Sequence, residues 1–203
     1  MGRRLTMLLL LFALCATAVP AHAETTRTRF QGGFAIAVWS DAQTGTFAVV
    51  EYFEDVDYLI LILETEIRDA DGNVTGLSQI VADANLSPYG TFTIDEKRLT
   101  SAALAVSDVP ASACEIPESG EPTCTEATMD ANVTWTGDGP IVQSMFRFTE
   151  KRPGFLSKAT SKGTDREAVA TGAINETALP ADDLERGSIA FSKGGQLTVC
   201  TGC

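Results

Sequence analysis

Histidine is almost missing from this chain: there is one in 203 residues, His22, and it falls in a stretch that reads as a removable leader. Arg3-Arg4, the apolar run from Met7 to Val19 and the small-residue site Ala21-His22-Ala23 predict a secretory signal peptide over residues 1–23. Its twin arginines suit Tat export and its strongly apolar centre suits Sec export. A chain that starts at Glu24 keeps no imidazole. That excludes a Ser-His-Asp or Cys-His nucleophile system and any His-ligated metal.

Cationic charge is scarce too, with 15 Lys and Arg against 27 Asp and Glu. The leader takes two of the arginines and no acid, so the remainder carries 13 − 27 = −14. Such a balance opposes nucleic acid and anionic lipid, whose phosphates demand Lys and Arg, and it keeps an exported protein soluble. After residue 23 no apolar run approaches the ~18 residues of a helical membrane span; the longest is Tyr58-Leu59-Ile60-Leu61-Ile62-Leu63. The glycine-rich phosphate loops and the GxSxG elbow are absent as well, and no cofactor is expected.

Cysteine is sparse but placed. Of five, Cys15 lies in the leader, leaving Cys114, Cys124, Cys200 and Cys203. In an oxidising compartment four cysteines are expected to pair. The spacing favours two local disulfides, 114–124 and 200–203, with a crossed pairing or a disulfide to another chain as the other connectivities. A redox CxxC normally opens a helix, whose dipole lowers one thiol pKa, and nothing follows Cys203 to form one. Cys114 and Cys124 are too far apart in sequence for a zinc knuckle.

What is abundant is period-two alternation broken by turn residues about every ten positions. Phe34, Ile36 and Val38 alternate with Ala35, Ala37 and Trp39. Thr46 to Phe53 is a second β-rich run, and Tyr58 to Leu63 has no polar face, which predicts a central strand covered on both sides. Asp69 to Asn73 is a hairpin turn, followed by a returning strand over about 74–84, and Leu86 to Gly90 breaks the pattern. Leu99 to Val106 fits either a strand or a helical i, i+3, i+4, i+7 spacing. The Pro-, Ser- and Glu-rich stretch 110–125 reads as an exposed loop. Beyond it, Met129, Ala131, Val133 and Trp135 form one apolar face, and Gly137 to Pro140 turns the chain. Strands are expected over Val142 to Thr149, Phe155 to Lys162, Glu167 to Ile174 and, after a Gly194-Gly195 turn, Gln196 to Cys200; Ala181 to Arg186 looks like a short helical turn. These features predict an all-β fold, an antiparallel β-sandwich or flattened barrel. They place one domain over 24–203, and a weak Ala-x3-Trp echo at Trp39 and Trp135 suggests two similar halves, 24–109 and 126–203.

Few residues suggest chemistry, and no catalytic or metal-binding set is expected. Glu51, Glu54, Asp55 and Asp57 cluster around Tyr52-Phe53, and two suitably spaced acids suffice for a glycosidase. If Ala48, Val50 and Tyr52 face inward, Glu51 is solvated; on the opposite register it is buried and its pKa rises. Trp39 and Tyr52 are the candidate rings of a ligand surface, whereas Trp135 aligns with a core face. Asp69-x-Asp71-Gly72-Asn73 lacks the remaining ligands of a calcium loop. Asn73, Asn85, Asn132 and Asn175 each begin an N-x-Ser/Thr triplet.

The stretch from Asn132 to Gly139, with Arg152-Pro153-Gly154-Phe155 and Arg166 to Gly172, resembles a group of uncharacterised secreted bacterial proteins of all-β type. The resemblance implies export and the fold, and supplies no site. The sequence therefore points to an exported, non-catalytic protein with a binding or surface and structural role; it names no ligand, and a surface glycan or a protein are the candidate partners. The alternative from another class is a carboxylate-based secreted glycan hydrolase.

Overall fold

A computed structural model describes residues 24–200. Residues 1–23, where the signal peptide is expected, with Cys15 and His22, and residues 201–203, with Cys203, lie outside the described residues. Eleven strands form one antiparallel sheet: β1 (Glu24–Asp41), β2 (Thr46–Phe53), β3 (Tyr58–Arg68), β4 (Val74–Asn85), β5 (Gly90–Ile94), β6 (Ser101–Pro117), β7 (Thr123–Gly137), β8 (Val142–Arg152), β9 (Phe155–Ile174), β10 (Thr177–Leu179) and β11 (Leu184–Cys200). The pairing runs β9-β11-β1-β2-β3-β4-β6-β7 and then returns to β9, so eight strands close a ring, while β5, β8 and β10 attach at its margins. Closure removes the free edges that an open sheet of this size would expose.

Residues 29–146 and 161–194 make one compact unit, and the apolar core lies in it. The alternation seen in the sequence delivers one face of every strand to the interior. Ala35, Ala37 and Trp39 of β1 meet Ala48, Val50 and Tyr52 of β2, and beyond them Leu59, Leu61 and Leu63 of β3. On the other side Met129, Ala131, Val133 and Trp135 of β7 face inward with Ala168 and Ala170 of β9. The many alanines make room for two indoles in a barrel whose bore is just wide enough to be filled by side chains. Trp135 is fully buried and its Nε1 donates to the Ile36 carbonyl at 2.9 Å. Trp39 is also buried, yet its Nε1 has no hydrogen-bond partner among the described residues.

In β6 the inward positions Ala102, Leu104 and Val106 are followed by Val109, a step of three that alternation alone forbids. A bulge between Val106 and Val109 absorbs the extra residue, with Asp108 held at φ 55°. Such insertions re-aim the strand and its side chains. This one lies against β7 beside the groove described below.

Residues 147–160, 195–200 and 24–28 belong to a second compact unit. Within it Ser157 is buried and accepts a hydrogen bond from Gln196 Nε2 at 3.2 Å. Arg152 pairs with Glu150. Cys200 is buried and disulfide-bonded.

Several boundaries differ from the sequence expectation. The stretch 110–125 is mostly strand: β6 continues to Pro117 and β7 begins at Thr123, because the Cys114–Cys124 disulfide joins directly opposed residues of the two strands. Exposure there reflects an outlying hairpin rather than a loop. Phe155 to Lys162 and Glu167 to Ile174 are one strand, β9, and Gly194-Gly195 lies inside β11. Of the stretch Leu99 to Val106, Ser101 to Val106 is strand, with Ala102, Leu104 and Val106 pointing inward together, whereas Leu99 precedes it at φ 50°. The proposed halves differ in strand order: β1 pairs with the strand that follows it, while β7 skips β8 to pair with β9.

Candidate functional site

Outward-facing residues of β6, β7 and β9 form a groove of about 370 Å³. Ala105, Asn132 and Ala173 are register partners across the three strands, so two methyl side chains flank one amide and leave a depression. Tyr89, Ser107, Asp130 and Asn175 stand around it.

The rim is held by the backbone. Ser107 N–H donates to the Tyr89 carbonyl at 3.0 Å, tying the turn before β5 to the bulge of β6. Asp108 N–H donates to Asp130 Oδ1 at 2.8 Å. Asn175, at φ 52°, accepts from Asp130 N–H through its side-chain oxygen at 2.9 Å and donates its own N–H to the Asp130 carbonyl at 2.8 Å. Asn is among the residues that tolerate this left-handed conformation. Two glycines permit the close strand approach beneath: a Cβ on Gly90 would lie 2.0 Å from the Ala105 carbonyl oxygen, and one on Gly172 would lie 2.1 Å from that of Asn132. The result is two hydroxyls, two amides and one carboxylate around an alanine-flanked floor.

The candidates named from sequence are placed elsewhere. Trp39 and Tyr52 are 2% and 4% exposed and point into the core, so neither offers a ring face to a surface ligand. The reason is register: Trp39 lies opposite Ala48 on the inner face. Tyr52 stacks against Phe92 with centroids 4.6 Å apart and donates its hydroxyl to Asp57 Oδ1 at 3.1 Å. Burial and the adjacent carboxylates push its pKa well up. Asp57, in turn, takes the Ser87 hydroxyl at 2.5 Å, and this hydrogen bond holds its carboxyl below the usual range. Glu54 Oε2 accepts from Gly33 N–H at 2.6 Å. These acids fasten the β2–β3 turn to its neighbours. Cys114 and Cys124 are paired with each other.

Glu51 has the face expected for inward Ala48, Val50 and Tyr52, but it is half-buried rather than solvated. Its register partners are Ile36 and Ile60, and this apolar setting raises its pKa despite the charge of Arg186. An acid whose folded pKa exceeds its unfolded value costs stability once ionised. The cost is absent below the ordinary carboxylate value, builds as pH rises through the raised one, and stays constant above it. Glu51→Gln is therefore expected to raise the melting temperature at pH 7 and to leave it unchanged near pH 3.5; a gain of equal size at both pH values would contradict this.

The groove residues escape sequence inspection because they come from positions 89, 107, 130, 132 and 175, brought together by the β5–β6, β6–β7 and β7–β9 pairings. The one signal was indirect: Asn132 and Asn175 each start an Asn-x-Thr triplet. No protein-family model, curated protein or solved structure matches the chain.

Proposed function

We propose that this is an exported, non-catalytic binding protein whose groove at Tyr89, Asp130, Asn132 and Asn175 takes a small polyhydroxylated ligand, such as one unit of a surface glycan. The observation that carries this is the fixed polar rim around a floor of small side chains. Hydroxyl-rich ligands need acceptors and donors in set positions beside an apolar surface. Asp130 supplies acceptors, Asn132 and Asn175 supply both kinds of group, and Tyr89 supplies an aromatic wall. A volume of about 370 Å³ is at the small end for ligand pockets. Export is supported by the Cys114–Cys124 disulfide, which persists in oxidising compartments.

The hydrolase alternative requires a second carboxylate opposite the first. Asp130 is the single acid among the groove-lining residues, and Asp108 contributes its backbone N–H there. Binding without bond cleavage is the better account.

A glycan array probed with the purified protein, followed by calorimetry on the ligands it retains, tests this. Asp130→Ala should weaken binding at least about tenfold, since a hydrogen bond to a charged group contributes roughly 1.5–3 kcal/mol, and Asn132→Ala should weaken it less, since a neutral one contributes about 0.5–1.5 kcal/mol. Retained affinity in a folded Asp130→Ala/Asn132→Ala double variant, or release of cleaved sugar, would reject the proposal.

A further inference from the structure

The first half of β8, with Ile141 just before it, presents exposed apolar side chains on both faces of the strand. Ile141, Val142, Met145 and Phe146 are 43%, 52%, 53% and 54% exposed, and every residue from Val142 to Thr149 is exposed. Alternation places Val142 and Phe146 on one face and Ile141 and Met145 on the other. Among the described residues β8 pairs only with β9, so no described strand meets the backbone N–H and C=O groups of its second edge. Natural proteins guard such edges with charge, proline or bulges. Here Ile141 to Phe146 contains no charged residue.

We infer that this edge is an interface between two copies of the chain, formed by antiparallel pairing of β8 with β8 about a two-fold axis. Charge selects this occupant. Residues 29–146 and 161–194 hold 8 Lys and Arg against 25 Asp and Glu, 8 − 25 = −17, so two copies repel each other over most of their surfaces. The 141–146 run is a place where they meet without that repulsion. Beyond it β8 turns basic at Arg147, Lys151 and Arg152, while Asp138 precedes it. Antiparallel pairing sets the basic end of each strand beside the acid preceding the other.

A two-fold axis at Met145 places Val142 opposite Phe148 of the second copy and Ser144 opposite its Phe146. It also sets Asp138 level with the second copy's Arg152 and keeps each Arg147 opposite Gln143. Aromatic and β-branched residues directly opposed in this way stabilise strand pairs. Isologous contacts of this kind close at two subunits.

Sedimentation of the full-length protein at micromolar concentration is expected to give a dimer that survives 0.5 M NaCl, because backbone pairing and apolar contact carry the association. Phe146→Asp should shift it to monomer with an unchanged circular dichroism spectrum and melting profile. Met145→Cys should form an interchain disulfide under mild oxidation, and Ile141→Cys should not. A monomeric wild type would leave the edge to a strand of another protein and would overturn the inference. So would a dimer indifferent to Phe146→Asp, or cross-linking through Ile141→Cys in preference to Met145→Cys.

Discussion

Trp135→Ala is expected to cost about 4 kcal/mol of unfolding free energy, in the range for deleting a fully buried aromatic side chain, and to lower the melting temperature by roughly 10 °C. The indole is 0% exposed and spans the interior from β7 to the Ile36 carbonyl of β1. Its loss removes both packing volume and a hydrogen bond between distant parts of the ring. Trp135→Phe separates the two effects. It keeps most of the volume and removes the hydrogen bond to the Ile36 carbonyl, a loss of about 0.5–1.5 kcal/mol. Trp39→Phe provides the contrast, because its Nε1 has no partner among the described residues and removing it also removes an unsatisfied donor. Chemical denaturation of the three variants should rank them Trp135→Ala, Trp135→Phe, Trp39→Phe from most to least destabilised. A Trp39→Phe loss equal to that of Trp135→Phe would show that the bond to Ile36 contributes nothing.

The second large effect belongs to the Cys114–Cys124 disulfide. It closes a sequence separation of 10 between directly opposed positions of β6 and β7. A loop of that size corresponds to roughly 2–3 kcal/mol in the chain-entropy account. The Cys114→Ser/Cys124→Ser variant should lose about that much, measured by denaturant titration without reductant so that the bond at Cys200 is kept in both proteins. Hydrogen exchange adds a spatial test. Amides at 111–117 and 123–128 should exchange faster, whereas Leu104 and Val133, paired in the core, should be little changed, because local opening follows local stability. Equal stability with and without the bond would mean that the hairpin ladder alone holds this end of β6 and β7.

Alternation made much of this fold legible. Met129, Ala131, Val133 and Trp135 read as one inward face and are one. Tyr58 to Leu63 read as covered on both sides, and its outer residues Ile60 and Ile62 are indeed partly buried. The Asp69 to Asn73 turn was visible in its residues, and Asp69 Oδ1 accepts from the N–H groups of Asp71 and Asn73, both at 2.9 Å. Long-range organisation was hidden. Nothing local shows that β7 will pair with β9 past the β8 hairpin, and a disulfide can straighten a Pro- and Glu-rich stretch into strand. Trp39 faces the core and offers no ligand surface, because the side of the sheet it takes depends on the partners of β1. The groove depends on a bulge at Asp108, where a non-glycine residue takes positive φ because Asp130, 22 residues away, accepts its N–H. That conformation is dictated by a contact and not by local propensity.

Backbone amide NMR during titration with an oligosaccharide retained on the array tests the binding claim most directly, since it reports location and chemistry together. The amides of Tyr89, Ser107, Asp130, Ala131, Asn132, Ala173 and Asn175 should shift in a saturable way, with the sugar recovered intact. Shifts centred on other surfaces, or the appearance of new reducing ends in the sample, would contradict the account.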